Sequence, residues 1–135
     1  MTKAQSNRPL SPHLAIYRWQ ITNTLSILHR ITGFGLTLGL IPLALWLYGA
    51  AYEPALFATA SAIFASSIGK LALFAWTLAF YYHLANGLRH INWDMGKGFD
   101  LSEVTDSGHI VVVFALAMSI LTWIIVLGKL GATHA

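Results

Sequence analysis

Two short stretches of this chain carry residue types that can do chemistry. In TLSILHRITG, residues 24–33, Ser26, His29 and Arg30 stand at i, i+3 and i+4. On a helix they form one patch offering a hydroxyl, an imidazole and a fixed positive charge. Such a patch can hold the carbonyl oxygens of a quinone head group at a membrane interface while an isoprenoid tail stays in lipid. The same residues also suit ordinary helix-start chemistry, with Arg30 reaching lipid phosphates and Ser26 bonding its own backbone. In YYHLANGLRHINWD, residues 81–94, His83 and His90 lie seven residues apart with Gly87 between them. That spacing is nearly two helical turns, so both imidazoles share a face, and a flat macrocycle could approach at the glycine. A haem edge-on to this face would take His83 as axial ligand, with His90 or Arg89 towards its propionates. The competing reading is an interhelical hydrogen bond from His83. A haem held by two histidines needs a second ligand: His29, or a residue of a partner chain, because His90 cannot reach the opposite face of the same ring.

These residues need elements to position them, and the composition says which. The chain has 135 residues, 56% hydrophobic and 10% charged, too apolar for an ordinary soluble domain. Its net charge of +3 comes from eight Lys and Arg against five Asp and Glu, scattered without a basic run, so no nucleic-acid footprint is present. There is no cysteine, which excludes thiolate-held iron–sulfur clusters and covalently attached haem on this chain. Three runs free of Asp, Glu, Lys and Arg, Ile31–Tyr52, Leu71–Leu88 and Ile110–Gly128, approach the roughly 20 helical residues that cross a hydrocarbon core. The expectation is an all-α membrane protein, one domain over residues 1–135. An N-terminal segment 1–22 precedes three transmembrane helices at about 23–52, 65–92 and 108–129. Pro42 lies inside the first, where a membrane helix tolerates it.

Trp46, Tyr48 and Tyr52 at one end and Trp93 at the other suit interfacial belts. Lys3, Arg8, Arg18, Arg30, Arg89 and Lys97 fall on one side of the spans, against Lys70 and Lys129 on the other. That bias puts the N-terminus on the cytoplasmic or matrix side. No apolar core with a small-residue cleavage site opens the sequence, and no Arg-rich presequence. The expected location is therefore the bacterial inner membrane, ahead of the mitochondrial inner membrane. The segment NWDMGKGFDLSEVTDSGH reads as a turn on the inner side, with Asp106 or Ser107 capping the third helix. Gly33, Gly35 and Gly39 mark a small-residue face on the first helix, with Gly35 and Gly39 as a small-xxx-small pair, for close helix packing or equally to make room for a porphyrin. In residues 53–67, Leu56 with Ile63 and Phe57 with Phe64 share a face, as in an interfacial helix. His109 and His134 read as solvent-facing. His83 lies six residues before Arg89, about 9 Å deeper along a regular helix, and an ionisable group at that depth is by default functional.

Taken together, RPLSPHLAIYRWQITNTLSILHRITG (residues 8–33) and YYHLANGLRHINWD (residues 81–94) resemble the cytochrome b membrane subunits of succinate dehydrogenase, respiratory complex II. The three-span layout extends the resemblance over nearly the whole chain. The resemblance implies that Ser26 and Arg30, matching S-x-x-x-R, line a ubiquinone pocket. It implies that His83, the first histidine of H-x-x-x-G-x-R-H, is an axial ligand of haem b, and that His29, Arg30 and His90 lie near the propionates. It implies a second small membrane anchor subunit supplying the other axial histidine. It also implies a flavoprotein subunit that oxidises succinate and an iron–sulfur subunit that delivers the electrons to quinone. Asp94 matches the pattern without an assignable role. Two further functions are compatible with the residues: a haem-free membrane anchor of a dehydrogenase, and the cytochrome b subunit of a quinol:fumarate reductase.

Overall fold

The computed structural model describes residues 17–133, with side chains described through residue 129; Lys3, Arg8 and His134 lie outside this range. Four α-helices follow one another: α1 (Ile21–Tyr52), α2 (Pro54–Ala65), α3 (Ser67–Asp94) and α4 (Leu101–Thr133). No strand occurs among the described residues. The all-α architecture follows from long uncharged runs that must satisfy every backbone N–H and C=O internally once water is excluded. Helices α1 and α4 are each long and apolar enough to cross a membrane. Helix α3 reaches that apolarity only together with α2, which meets it at 81°, because its second half carries His83, Asn86, Arg89, His90 and Asn92. Three spans result when the bent pair is one of them.

Helix α1 runs through Pro42 without a break. It ends at Glu53, and Pro54 opens α2 at a position where its missing N–H costs nothing. The short helix is clamped at both ends by glycines. A Cβ on Gly49 would meet the backbone N of Phe57 at 2.7 Å, and one on Gly69 would overlap the carbonyl of Ile63. Ser66 caps α3 by accepting from the Gly69 N–H at 3.0 Å.

The loop between α3 and α4 is much shorter than the sequence suggests. Only residues 95–100 turn the chain. Gly96 and Gly98 take positive φ of 76° and 77°, conformations that favour glycine. The Trp93 indole N–H donates to the Gly98 carbonyl at 2.9 Å and the Asn92 side chain to that of Lys97 at 3.3 Å, closing the turn. Helix α4 therefore starts at Leu101, so Asp106 and Ser107 lie inside it and cap nothing. The same holds for His109, which is exposed but sits within the helix.

Antiparallel packing of α3 on α1 and α4 is read directly from cross-helix bonds. Tyr82 Oη donates to the Leu25 carbonyl at 2.6 Å, Tyr81 bonds Thr122 at 2.9 Å, and the Trp123 indole donates to Thr77 at 3.3 Å. The core is small: Leu25, Tyr82, Val111 and Ala115 are buried where α1, α3 and α4 meet. At the other end α2 packs between α1 and α3 around an apolar cavity of about 640 Å³ lined by Pro42, Trp46, Ser61 and Trp76 among others. Of the expected glycine pair, only Gly39 works as a close-packing position, its place for a Cβ being filled by the Trp76 ring, whereas Gly35 faces open space. The residue that shares the packing role is Gly33, where a Cβ would meet His83 Cε1 at 2.9 Å.

Candidate functional site

Tyr82, buried and bonded to the Leu25 carbonyl, pins the first turns of α1 against the inner half of α3. That contact brings the first chemically interesting stretch against the second. His29 of α1 stacks on His83 of α3, ring centroids 3.9 Å apart and planes 5° from parallel, and lies 5.1 Å from His90 at a 39° tilt. The seven-residue spacing thus does put His83 and His90 on one face, and Gly87 between them makes room. What occupies that room is the His29 ring, 4.0 Å from where a Gly87 Cβ would stand.

His83 has a defined tautomer. Its Nδ1 lies 3.1 Å from the His29 carbonyl and 3.2 Å from Thr32 Oγ1. A carbonyl oxygen only accepts, so Nδ1 carries the proton and Nε2 the lone pair. Nε2 has no hydrogen-bond partner among the described residues. The residue is only partly buried. This is the arrangement a metal-ligating histidine takes, one ring nitrogen tied to a carbonyl and the other free to bind. The interhelical hydrogen bond offered as the bland alternative is present too, and it uses the other nitrogen. His29 contributes a buried Nδ1 with no partner, a polar atom that calls for an acceptor or donor from outside the chain. These features fit an axial haem ligand with a polar neighbour. They do not fit a bare metal centre, since among the described residues no three His, Asp or Glu side chains converge on a point that could hold an ion.

His29 is not arranged as the opposite ligand. Two histidines on one haem iron meet it end to end from opposite faces, whereas His29 and His83 lie face to face.

Ser26 and Arg30 stand one turn apart on the same end of α1. Arg30 is exposed and Ser26 half-buried, and neither makes a hydrogen bond or ion pair among the described residues. Ser26 does not bond its own backbone, unlike Thr32, Thr37 and Thr59, whose hydroxyls all return to the carbonyl four residues back. Arg89, offered beside His90 for the propionates, spends its donors on other groups. It is 7% exposed and turned towards α4, donating from Nε to Ser107 Oγ at 2.9 Å and from Nη2 to the Val104 carbonyl at 2.7 Å. It also reaches Asn86 Oδ1 at 3.3 Å and lies 4.2 Å over the Trp93 ring. The reason is rotational: at 100° per residue Arg89 lies one position away from His90 and so on a different face. Asp94 is exposed at the last residue of α3. Thr32 and Asn86 were not singled out from sequence, because a threonine or asparagine in a span carries no charge to draw notice.

With the polar face of α1 against α3 established, the comparisons decide the family. Residues 4–122 match the family of succinate dehydrogenase/fumarate reductase transmembrane subunits. The chain belongs to that family. A succinate dehydrogenase cytochrome b556 subunit of Rickettsia felis is 41% identical over 128 residues, covering 92% of this chain and 100% of that protein. The cytochrome b556 subunit of Paracoccus denitrificans is 36% identical over 121 residues, 90% of this chain and 93% of its own. The mitochondrial cytochrome b560 subunit of Sus scrofa is 38% identical over 117 residues, 85% of this chain and 69% of that one. The resemblance read from the two motifs therefore extends over most of the chain.

Proposed function

We propose that this chain is the haem b-binding membrane anchor subunit of a succinate:ubiquinone oxidoreductase and helps form the quinone-reduction site that receives electrons from an iron–sulfur subunit. The observation that carries the reading is His83, whose Nδ1 proton is tied to a helix carbonyl and whose Nε2 lone pair has no partner among the described residues. Haem, when bound, supplies reversible one-electron storage beside the quinone site.

This chain's own residues then have separable tasks. His83 would hold the haem iron, its Nε2 being the nitrogen with the lone pair. His29, Arg30 and His90 provide donors and positive charge to the propionate carboxylates, charge-assisted bonds that suit the membrane edge. The face-to-face stacking of His29 on His83 favours a second small membrane subunit as the source of the other axial histidine. Ser26 donates its hydroxyl hydrogen to a quinone oxygen, and Arg30 stabilises the negative charge that develops there as electrons arrive. Neither group has a hydrogen-bond partner among the described residues, which supports this use. Succinate is oxidised on a flavoprotein subunit, and the clusters that relay the electrons belong to another chain, in keeping with the absence of cysteine. The bacterial relatives, matched over nearly their full length, favour the bacterial inner membrane.

A dithionite-reduced minus oxidised visible spectrum tests this reading on the tagged chain purified in mild detergent with its membrane partners. A low-spin b-type band that His83→Ala abolishes is the expected result. A flat spectrum from an intact complex overturns the haem assignment and leaves an anchor without haem. Comparing succinate oxidation with fumarate reduction on the native quinone separates the oxidase direction from the reverse one.

A further inference from the structure

We propose that Thr32 is a positioning residue for His83: its hydroxyl oxygen accepts the Nδ1–H of that imidazole and so sets the orientation and donor strength of the nitrogen that binds iron. The proposal rests on the haem reading above.

The hydrogen-bond roles follow from counting protons. The single hydroxyl hydrogen of Thr32 is directed to helix carbonyls, with Leu28 O at 2.7 Å and His29 O at 3.0 Å. Its lone pairs remain, and His83 Nδ1 lies 3.2 Å away. Because Nδ1 is also 3.1 Å from the His29 carbonyl, an obligate acceptor, the nitrogen carries the hydrogen and shares it between the two oxygens. Thr32 is therefore an acceptor here. A β-branched side chain bonded back to its own helix has little rotational freedom, so the oxygen is a fixed point. The ring is held on its other sides as well, by the stacked His29 and by Gly33, which leaves 2.9 Å between a notional Cβ and His83 Cε1.

An acceptor on the far nitrogen of a metal-bound imidazole raises the basicity of the ligating nitrogen and stabilises the ferric state. Thr77 and Thr122 likewise bond the i−4 carbonyl and a second side chain, an indole and a phenol, whereas Thr32 is the described threonine whose second partner is an imidazole. Thr37, Thr59 and Thr105 make that backbone bond and engage no other side chain.

The test is a potentiometric titration of the haem in the complete complex carrying the native chain, Thr32→Val, Thr32→Ser or Thr37→Val. Thr32→Val keeps the shape of the residue and removes the acceptor, so its low-spin band should persist with a more positive midpoint potential. Thr32→Ser should restore the native potential, and Thr37→Val should not move it. A native midpoint potential in Thr32→Val overturns the proposal. Should Thr32→Val fail to retain haem, Thr32→Ser decides: native haem content and potential support the hydroxyl's role, and loss or the same shift overturns it. A native complex without haem sinks the functional reading itself, whereas a native haem indifferent to Thr32→Val sinks only this inference.

Discussion

Ser26 and Arg30 make no hydrogen bond among the described residues, and their assignment is open to direct test. A neutral hydrogen bond contributes roughly 1 kcal/mol and a charged one up to about 3 kcal/mol. Ser26→Ala is therefore expected to slow quinone reduction about fivefold or more, and Arg30→Ala about a hundredfold. Succinate oxidation with a soluble dye acceptor should be spared in both, since that reaction ends before the membrane. Parallel assays with quinone and dye read the split, and native quinone kinetics in both variants would remove these residues from the pocket. The same residue-level argument separates the histidines. Among the described residues His83 has one nitrogen tied to a carbonyl and one without a partner, and the buried Nδ1 of His29 has none, so the two are expected to differ in task although they touch.

Between elements, the decisive contact is the crossing of α1 over α3. Gly33 is there because a methyl group at that position would have to displace His83. Gly33→Ala is expected to lower haem content per complex and broaden the low-spin band. Gly35→Ala, two residues along the same helix but facing open space, should leave both unchanged. Equal effects from the two variants would mean that helix propensity rather than His83 crowding is being measured. The α3–α4 seam rests on Arg89, whose planar fork serves Ser107, Val104 and Asn86 at once. Lysine cannot reproduce that geometry. Arg89→Lys should lower stability by about 1–3 kcal/mol, given the modest worth of polar contacts between membrane helices, and leave the position of the haem band unchanged. Thermal unfolding followed through that band reads both quantities, and a shifted band at native stability would return Arg89 to the propionates.

The whole molecule exposes most of its large apolar side chains, including Phe34 at 69% and Ile124 at 63%. Surface of this kind is covered by lipid and by partner subunits. Its small core lies at the histidine end of the bundle, so the part of the chain that must hold the site is also the part best packed. The bias of Lys and Arg predicts that this end faces the cytoplasm. Because the chain has no cysteine, single introduced cysteines report topology without background. Lys97→Cys, between α3 and α4, should react with an impermeant maleimide only from the cytoplasmic face, and Glu53→Cys, between α1 and α2, only from the opposite face. The reverse pattern would invert the molecule.

Hydrophobic run length alone determined that this chain is helical and membrane-embedded, because in hydrocarbon a spanning backbone has almost no other way to satisfy its polar groups. Local spacing likewise determined that His83 and His90 share a face and that Ser26, His29 and Arg30 form a patch, since helical periodicity is a property of the segment itself. The tertiary structure decided what lies across from each of them. It put His29 into the Gly87 notch, turned Arg89 towards α4, and extended α4 back to Leu101 through polar residues that carry no hydrophobic signal. It also brought Thr32 to the back of His83. Those outcomes depend on how α1 and α4 are rotated and set in depth against α3, which side-chain packing fixes and no single segment encodes.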